Sequence, residues 1–176
     1  MRFLTFVSLA LCLLAGCSPK LASVSGGKYD IPFWTPQLRD NVQTNRYRIA
    51  IVKDELNISG IWMVKRMDET WRGAMINEFG LKIFDFTCTA NRCKIIHPVA
   101  MMDKWYIKKT IADDVQFMLE ADNPAYKTGR TARRSLDNDT LTISNKNKAL
   151  QRFPTGEMAM YNKKRNLTYT LNKMED

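Results

Sequence analysis

The sequence predicts an α+β fold, with one antiparallel sheet of about eight to ten strands and one main covering helix. Three observations predict it. β-branched and aromatic runs recur roughly every 10–12 residues with short polar breaks, the spacing of hairpins. A single stretch, Asp103 to Ala121, carries apolar residues at helical spacing. After Asn123-Pro124 the chain returns to short, polar, turn-separated strands. With 176 residues, 45 % hydrophobic and 26 % charged, the chain is large enough for one packed domain and too apolar for a disordered one.

The N-terminus reads as an address. Met1-Arg2 is a short positive region, and Phe3 to Leu14 is an apolar run broken only by Thr5 and Ser8. That run is shorter than the roughly 20 residues of a spanning helix and suits a secretory signal. Leu14-Ala15-Gly16-Cys17 follows and resembles the lipobox of bacterial lipoproteins. The resemblance implies a signal peptide over residues 1–16 and a diacylglyceryl group on the thiol of Cys17. Two or more acyl chains hold a protein stably on a bilayer. Ser18, next to the cysteine, resembles the outer-membrane-directed class, which implies a lipid anchor in that membrane facing the periplasm. Residues 17–28 are Ser/Gly-rich and read as a tether; eleven such residues span about 17–20 Å as a random coil. Residues 29–176 read as the single body, with Phe33 and Trp34 packing its first segment onto the rest.

The strands follow in order. Arg46–Lys53 is dense in β-branched residues; Ile58–Arg66 follows the Asp54-Glu55 break, and Trp71–Asn77 follows Met67-Asp68-Glu69-Thr70. Leu81–Cys88 and Cys93–Val99 complete a meander. Their alternation is imperfect, with apolar residues on both faces, so both faces want cover. The helix supplies one cover: Ile107, Ile111, Val115, Met118 and Leu119 form its stripe. Asp103 is placed to cap it, and Lys108, Lys109, Asp113 and Asp114 fall away from the stripe or at its edge. Beyond Pro124 the candidate strands are Arg133–Leu136, Thr140–Ser144, Leu150–Phe153, Glu157–Tyr161 and Asn166–Leu171.

Little in the chain resembles a reactive site. It has no G-x-S-x-G, H-E-x-x-H, P-loop, Gly-rich dinucleotide turn or C-x-x-C. The one histidine, His97, ends an apolar strand. The acidic pairs Asp54-Glu55, Asp68-Glu69 and Asp113-Asp114 lie in polar surroundings, as turns and solvated faces do. The expectation is a non-enzymatic protein without metal or cofactor. Cys88 and Cys93 flank a four-residue break, where a hairpin brings two thiols within disulfide range in an exported chain. The formal charge of +9 concentrates in Lys127-Arg130-Arg133-Arg134, Lys146-Lys148 and Lys163-Lys164-Arg165. These read as solvated hairpin tips or as attraction to anionic head groups; export argues against a nucleic-acid partner.

The stretch Trp71 to Phe86 (WRGAMINEFGLKIFDF) resembles the central hairpin of the LolA/LolB lipoprotein-carrier family, especially the outer-membrane receptor LolB. In that family a strand ends in Asn-Pro-Leu-Gly; here the turn is Asn77-Glu78-Phe79-Gly80. A later helix opening near Ala112-Asp113-Asp114 extends the likeness over roughly residues 44 to 125. The resemblance implies a strongly curved, unclosed sheet, a half-barrel with helix cover on its concave side. It also implies an apolar cavity that receives acyl chains of lipoproteins or lipids. Phe79 takes the position of the family's membrane-contacting Leu, with two readings: it protrudes to meet a bilayer, or it packs under its hairpin. Glu78 replaces the Pro.

The cavity expected from the sequence is lined by Ile49, Ile51, Trp62, Val64, Met75, Ile83, Phe84 and Phe86 from the strands. Trp105, Ile111, Val115 and Met118 complete it from the helix, with Met101 and Met102 just before. Flexible thioethers suit irregular apolar cargo; a plainly filled core is the competing reading. The function expected is acyl-chain binding that assists insertion of lipoproteins or lipids into the outer membrane. The alternatives are an envelope scaffold that docks a protein partner, and a hydrolase with an unfamiliar site.

Overall fold

The computed structural model describes residues 44–123, 126 and 131–174. The expected signal peptide, Cys17, the tether and the Phe33-Trp34 segment lie outside them. Ten strands form one sheet: β1 Asn45–Lys53, β2 Leu56–Met67, β3 Thr70–Ile76, β4 Lys82–Cys88, β5 Cys93–Ile96, β6 Arg133–Asp137, β7 Thr140–Ser144, β8 Lys148–Arg152, β9 Met158–Asn162 and β10 Leu167–Lys173. A 3₁₀ turn, Ala100–Met102, leads into the one helix of the described residues, α1 Trp105–Glu120.

All neighbours are antiparallel, in the order β5-β4-β3-β2-β1-β10-β9-β8-β7-β6. Two meanders of five strands therefore meet at a central seam, where Ile49 lies opposite Leu171 and Ile51 opposite Tyr169. The sheet does not close; β5 and β6 are its edges.

The sheet is bent, and two hydrogen-bond sets require it. Gln116 Nε2 donates to the carbonyls of Thr89 and Ala90 in the β4–β5 turn, at 2.9 and 3.1 Å. Two residues on, the Met118 carbonyl accepts from Arg152 of β8 at 3.1 Å. Strands β4 and β8 are six steps apart in the order, which in a flat sheet would be about 29 Å. A helix only about 10–12 Å across bridges them, so the sheet wraps around α1. Glycine permits the close passage within it: a Cβ on Gly73 would lie 2.4 Å from the Phe86 ring and 2.3 Å from the Met63 carbonyl oxygen.

Wrapping also explains a correction. The second half of α1 has no solvent face: residues Val115 to Glu120 are all buried, and Asp114 is 0 % exposed. The sequence placed Asp114 at a polar edge. The apolar stripe marks the helix face toward the sheet, but a sheet that curls around the helix covers the flanks too. Asp103 does not cap the helix either. Lys104 stands at the N-cap without a side-chain bond, and the Asp103 carboxylate accepts from Lys108 at 2.6 Å. Strand β5 stops at Ile96, short of the expected Val99, because His97 turns to φ 47°.

The Cys88–Cys93 disulfide forms across the β4–β5 hairpin, where the two cysteines are register partners.

Candidate functional site: an apolar pocket beside a basic one

At one end of the sheet the β1–β2 hairpin and the start of β10 face the 3₁₀ turn and the first two turns of α1 across a gap. Ile51, Ile58 and Leu167 from the strands, with Met102, Ile107 and Ile111 opposite, line a pocket of about 250 Å³. Its rim carries Leu56, Met101 and Tyr106, exposed to 49, 60 and 44 %. Thr110 also lines it, with its hydroxyl donating to the Tyr106 carbonyl at 2.8 Å. Lys53 and Arg165 are the cations of this wall.

Of the cavity residues expected from the sequence, Ile51, Ile111, Met101 and Met102 line this pocket. Ile49, Trp62, Val64, Met75, Phe84, Phe86, Val115 and Met118 are buried in the packed core. There Trp62 stacks on Phe86 at 5.6 Å and tilts against Tyr47 at 5.8 Å. Ile83 is half-buried against the same cluster. Trp105 is 75 % exposed and lies outside the apolar pocket, with its ring edge-on to Tyr106 at 6.1 Å. It precedes the buried part of the helix, where the sheet has not yet wrapped round. Sequence reasoning missed Leu56 and Ile58 as lining residues. Alternation assigns a face to a side chain, but not whether the helix reaches that far along the strand.

A second pocket, of about 220 Å³, adjoins the first and shares Tyr106, Thr110 and Arg165 with it. Trp105 lines it too, and the rest are polar and charged groups, among them Lys109, Asp113, Lys148 and Lys164. Lys109 pairs with Asp113 at 3.2 Å in solvent. Lys148 is nearly buried and pairs with Asp114 at 2.8 Å, so it is not the solvated tip residue the sequence suggested. Asp114 also accepts from the Tyr169 hydroxyl at 2.8 Å and from Asn162 Nδ2 at 2.8 and 2.9 Å. Both its oxygens are thus engaged. The network ties α1 to β8, β9 and β10 and holds the back wall of the basic pocket. Burial, then the Asp114 charge and hydrogen bond, drive the Tyr169 phenol well above its ordinary pKa. Deeper in, burial pulls the Arg152 guanidinium down to about 9, which leaves it cationic at neutral pH beside Asp122.

The β3–β4 turn lies at the same end as the apolar pocket. Ile76 pairs with Ile61, so Asn77–Leu81 runs beside the start of β2, and Ser59 Oγ donates to Glu78 at 3.2 Å. The Asn77 side chain accepts from the amides of Phe79 and Leu81, at 3.0 and 2.8 Å. Gly80, at φ 79°, completes the turn. The result presents Phe79 to solvent at 89 % exposure and Leu81 at 66 %. Phe79 does not pack under its hairpin, and Glu78 is drawn back toward β2.

Among the described residues no three His, Cys, Asp or Glu side chains come together as a metal site. No described helix is long and apolar enough to cross a membrane. The chain matches no protein-family model and no curated protein.

Proposed function

We propose that the protein is a membrane-anchored carrier, LolB-like in architecture. It takes up an acyl chain in the apolar pocket and delivers it to a bilayer, assisting lipoprotein or lipid insertion into the outer membrane. The observation that carries this reading is the 250 Å³ apolar pocket opening at the end of the sheet where Phe79 protrudes. Eight of the ten exposed large apolar side chains of the described residues lie at that end: Val52, Leu56, Phe79, Leu81, Met101, Trp105, Tyr106 and Tyr161. An end face that is apolar, aromatic and edged with lysines suits the bilayer interface. The anchor at Cys17 keeps it there.

Volume sets the load. Cavities of roughly 150 Å³ admit one aromatic ring, and small-molecule sites begin near 300 Å³. The pocket therefore suits one chain and not the several of a mature lipoprotein. Burying a methylene contributes about 0.8 kcal/mol, and the bilayer offers the same per methylene. Transfer between the two is then nearly balanced, as a carrier requires, and needs no covalent chemistry.

The test is displacement of a fluorescent fatty-acyl probe by the purified protein. Saturable binding that is lost in Ile58→Trp, which fills the pocket, is expected. If the Ile58→Trp variant folds and binds the probe as well as the parent, or if the parent binds none, the carrier reading is overturned. One observation favours the scaffold alternative in that event. Edge strand β6 is exposed along its whole length and could add a partner's strand.

A further inference from the structure

We propose that the apolar and basic pockets are two halves of one site, and that its ligand is a single-chain amphiphile with an anionic head group. The inference rests on the acyl-chain reading above and adds the charge of the head to it.

The two pockets share one wall, built by Tyr106, Thr110 and Arg165. A chain lying against Ile58 and Leu167 would leave its polar end at that wall, and the next space is cationic. The charges there do not cancel. Lys109 is matched by Asp113 and Lys148 by Asp114. Lys164 and Arg165 have no ion-pair partner among the described residues. The surplus is thus two positive charges, placed where the hydrocarbon ends. Arg165 borders both halves. Its planar fork presents several donors to a phosphate or carboxylate. Tyr106 stands at the boundary with its ring available to the tail and its hydroxyl to the head, the usual place of an amphipathic aromatic.

The β9–β10 turn fixes these cations in place. The Arg165 amide donates to the Asn162 carbonyl and side-chain oxygens, both at 3.2 Å. Asn162 is itself held by Asp114. The buried network therefore positions the head-group side, with Lys148 and Asn162 on its wall.

The experiment compares three ligands of equal chain length, each below its micelle concentration, against the full-length protein by calorimetry. They are a lysophosphatidylglycerol, a lysophosphatidylcholine and an uncharged monoacylglycerol. The anionic ligand should bind about tenfold more tightly than the other two, since two exposed charges contribute on the order of 1.4 kcal/mol together, and the preference should shrink as salt rises. In the double variant Lys164→Gln/Arg165→Gln, the anionic ligand should fall to the level of the monoacylglycerol measured on the same variant. Equal binding of all three by the parent, or a preference that survives in the double variant, overturns the composite site and leaves the acyl-chain reading standing. Failure of all three to bind overturns both.

Discussion

Asp114 and Tyr169 meet in the interior, the phenol hydroxyl donating to the carboxylate at 2.8 Å across 55 residues of sequence. The contact joins the only described helix to the last strand, and with Asn162 and Lys148 it makes one closed polar cluster inside an apolar core. Such a cluster tolerates no partial removal, because each remaining member is left buried without its partner. Asp114→Ala is expected to destabilise the fold by about 3–5 kcal/mol, the cost of stranding a buried charge. Tyr169→Phe should lose about 1–3 kcal/mol. Equilibrium denaturation in urea measures both, and the order of the two losses is the check.

Alkaline pH should weaken the fold through its buried phenols. Burial pushes Tyr47 up to about 12, against the opposing pull of Arg152, and Tyr169 stands well above its usual range. Both folded pKa values are raised. Their contribution is therefore whole below pH 10, the ordinary phenol value, and is lost as pH rises through the folded values. Between pH 10 and 12 the unfolded chain releases protons that the folded chain retains. Tyr47→Phe should show a shallower fall of melting temperature across that window than the parent. A parallel fall in the two would contradict the assignment.

Gly73→Ala tests the bend of the sheet. The added methyl would meet the Phe86 ring and the Met63 carbonyl at 2.4 and 2.3 Å, so ring or backbone must shift. A loss of about 1–3 kcal/mol is expected, as for other overpacked sites. The double variant Gly73→Ala/Phe86→Leu should recover part of the clash term, which a double-mutant cycle reads directly.

The disulfide closes a short loop, Cys88 to Cys93. A loop of that size is stabilised by roughly 2 kcal/mol in the chain-entropy account. Cys88→Ser/Cys93→Ser should lower the unfolding free energy by about that amount and leave acyl-probe binding intact, because Cys88 ends β4 and Cys93 begins β5, and neither lines the apolar pocket.

Phe79→Glu separates membrane contact from binding. At 89 % exposure the ring contributes little to packing, so stability should change by no more than about 0.5 kcal/mol. Probe binding should persist, while transfer of the probe to phosphatidylglycerol vesicles should fall at least tenfold. Transfer at the parental rate would remove the turn from the mechanism.

Much of the fold was legible in the chain because local chemistry decided it. Asp54, Asp68 and Asn138 accept positive φ at 51, 54 and 45°, which residues of that type do most readily outside glycine, and each marks a hairpin that the polar breaks had indicated. The site was less legible. Ile51 and Ile111 were recoverable from alternation and helical spacing, but Trp105, eight residues before Asp113, carries the same apolar signature as a buried residue and sits in solvent. Asp114 reads as polar surface beside Asp113, and only the curl of the sheet buries it. One local clue was present: Val115 to Ala121 includes Phe117 and Ala121 off the main stripe, the mark of a helix with apolar residues beyond one face. The pocket itself depends on how the β1–β2 hairpin, the start of β10 and the first turns of α1 come together, a tertiary relation that no periodicity encodes.

The seam between β1 and β10 has a temporal meaning. The strand made first among those described can complete its pairing only when the last has been synthesised, and the two meet at the centre of the sheet and not at its margin. Losing the segment from Leu167 onward would therefore split the sheet down the middle, where losing a marginal strand would only narrow it. The two five-strand meanders stay unjoined until β10 has been made, so the pairing that unites the sheet is also its longest in sequence.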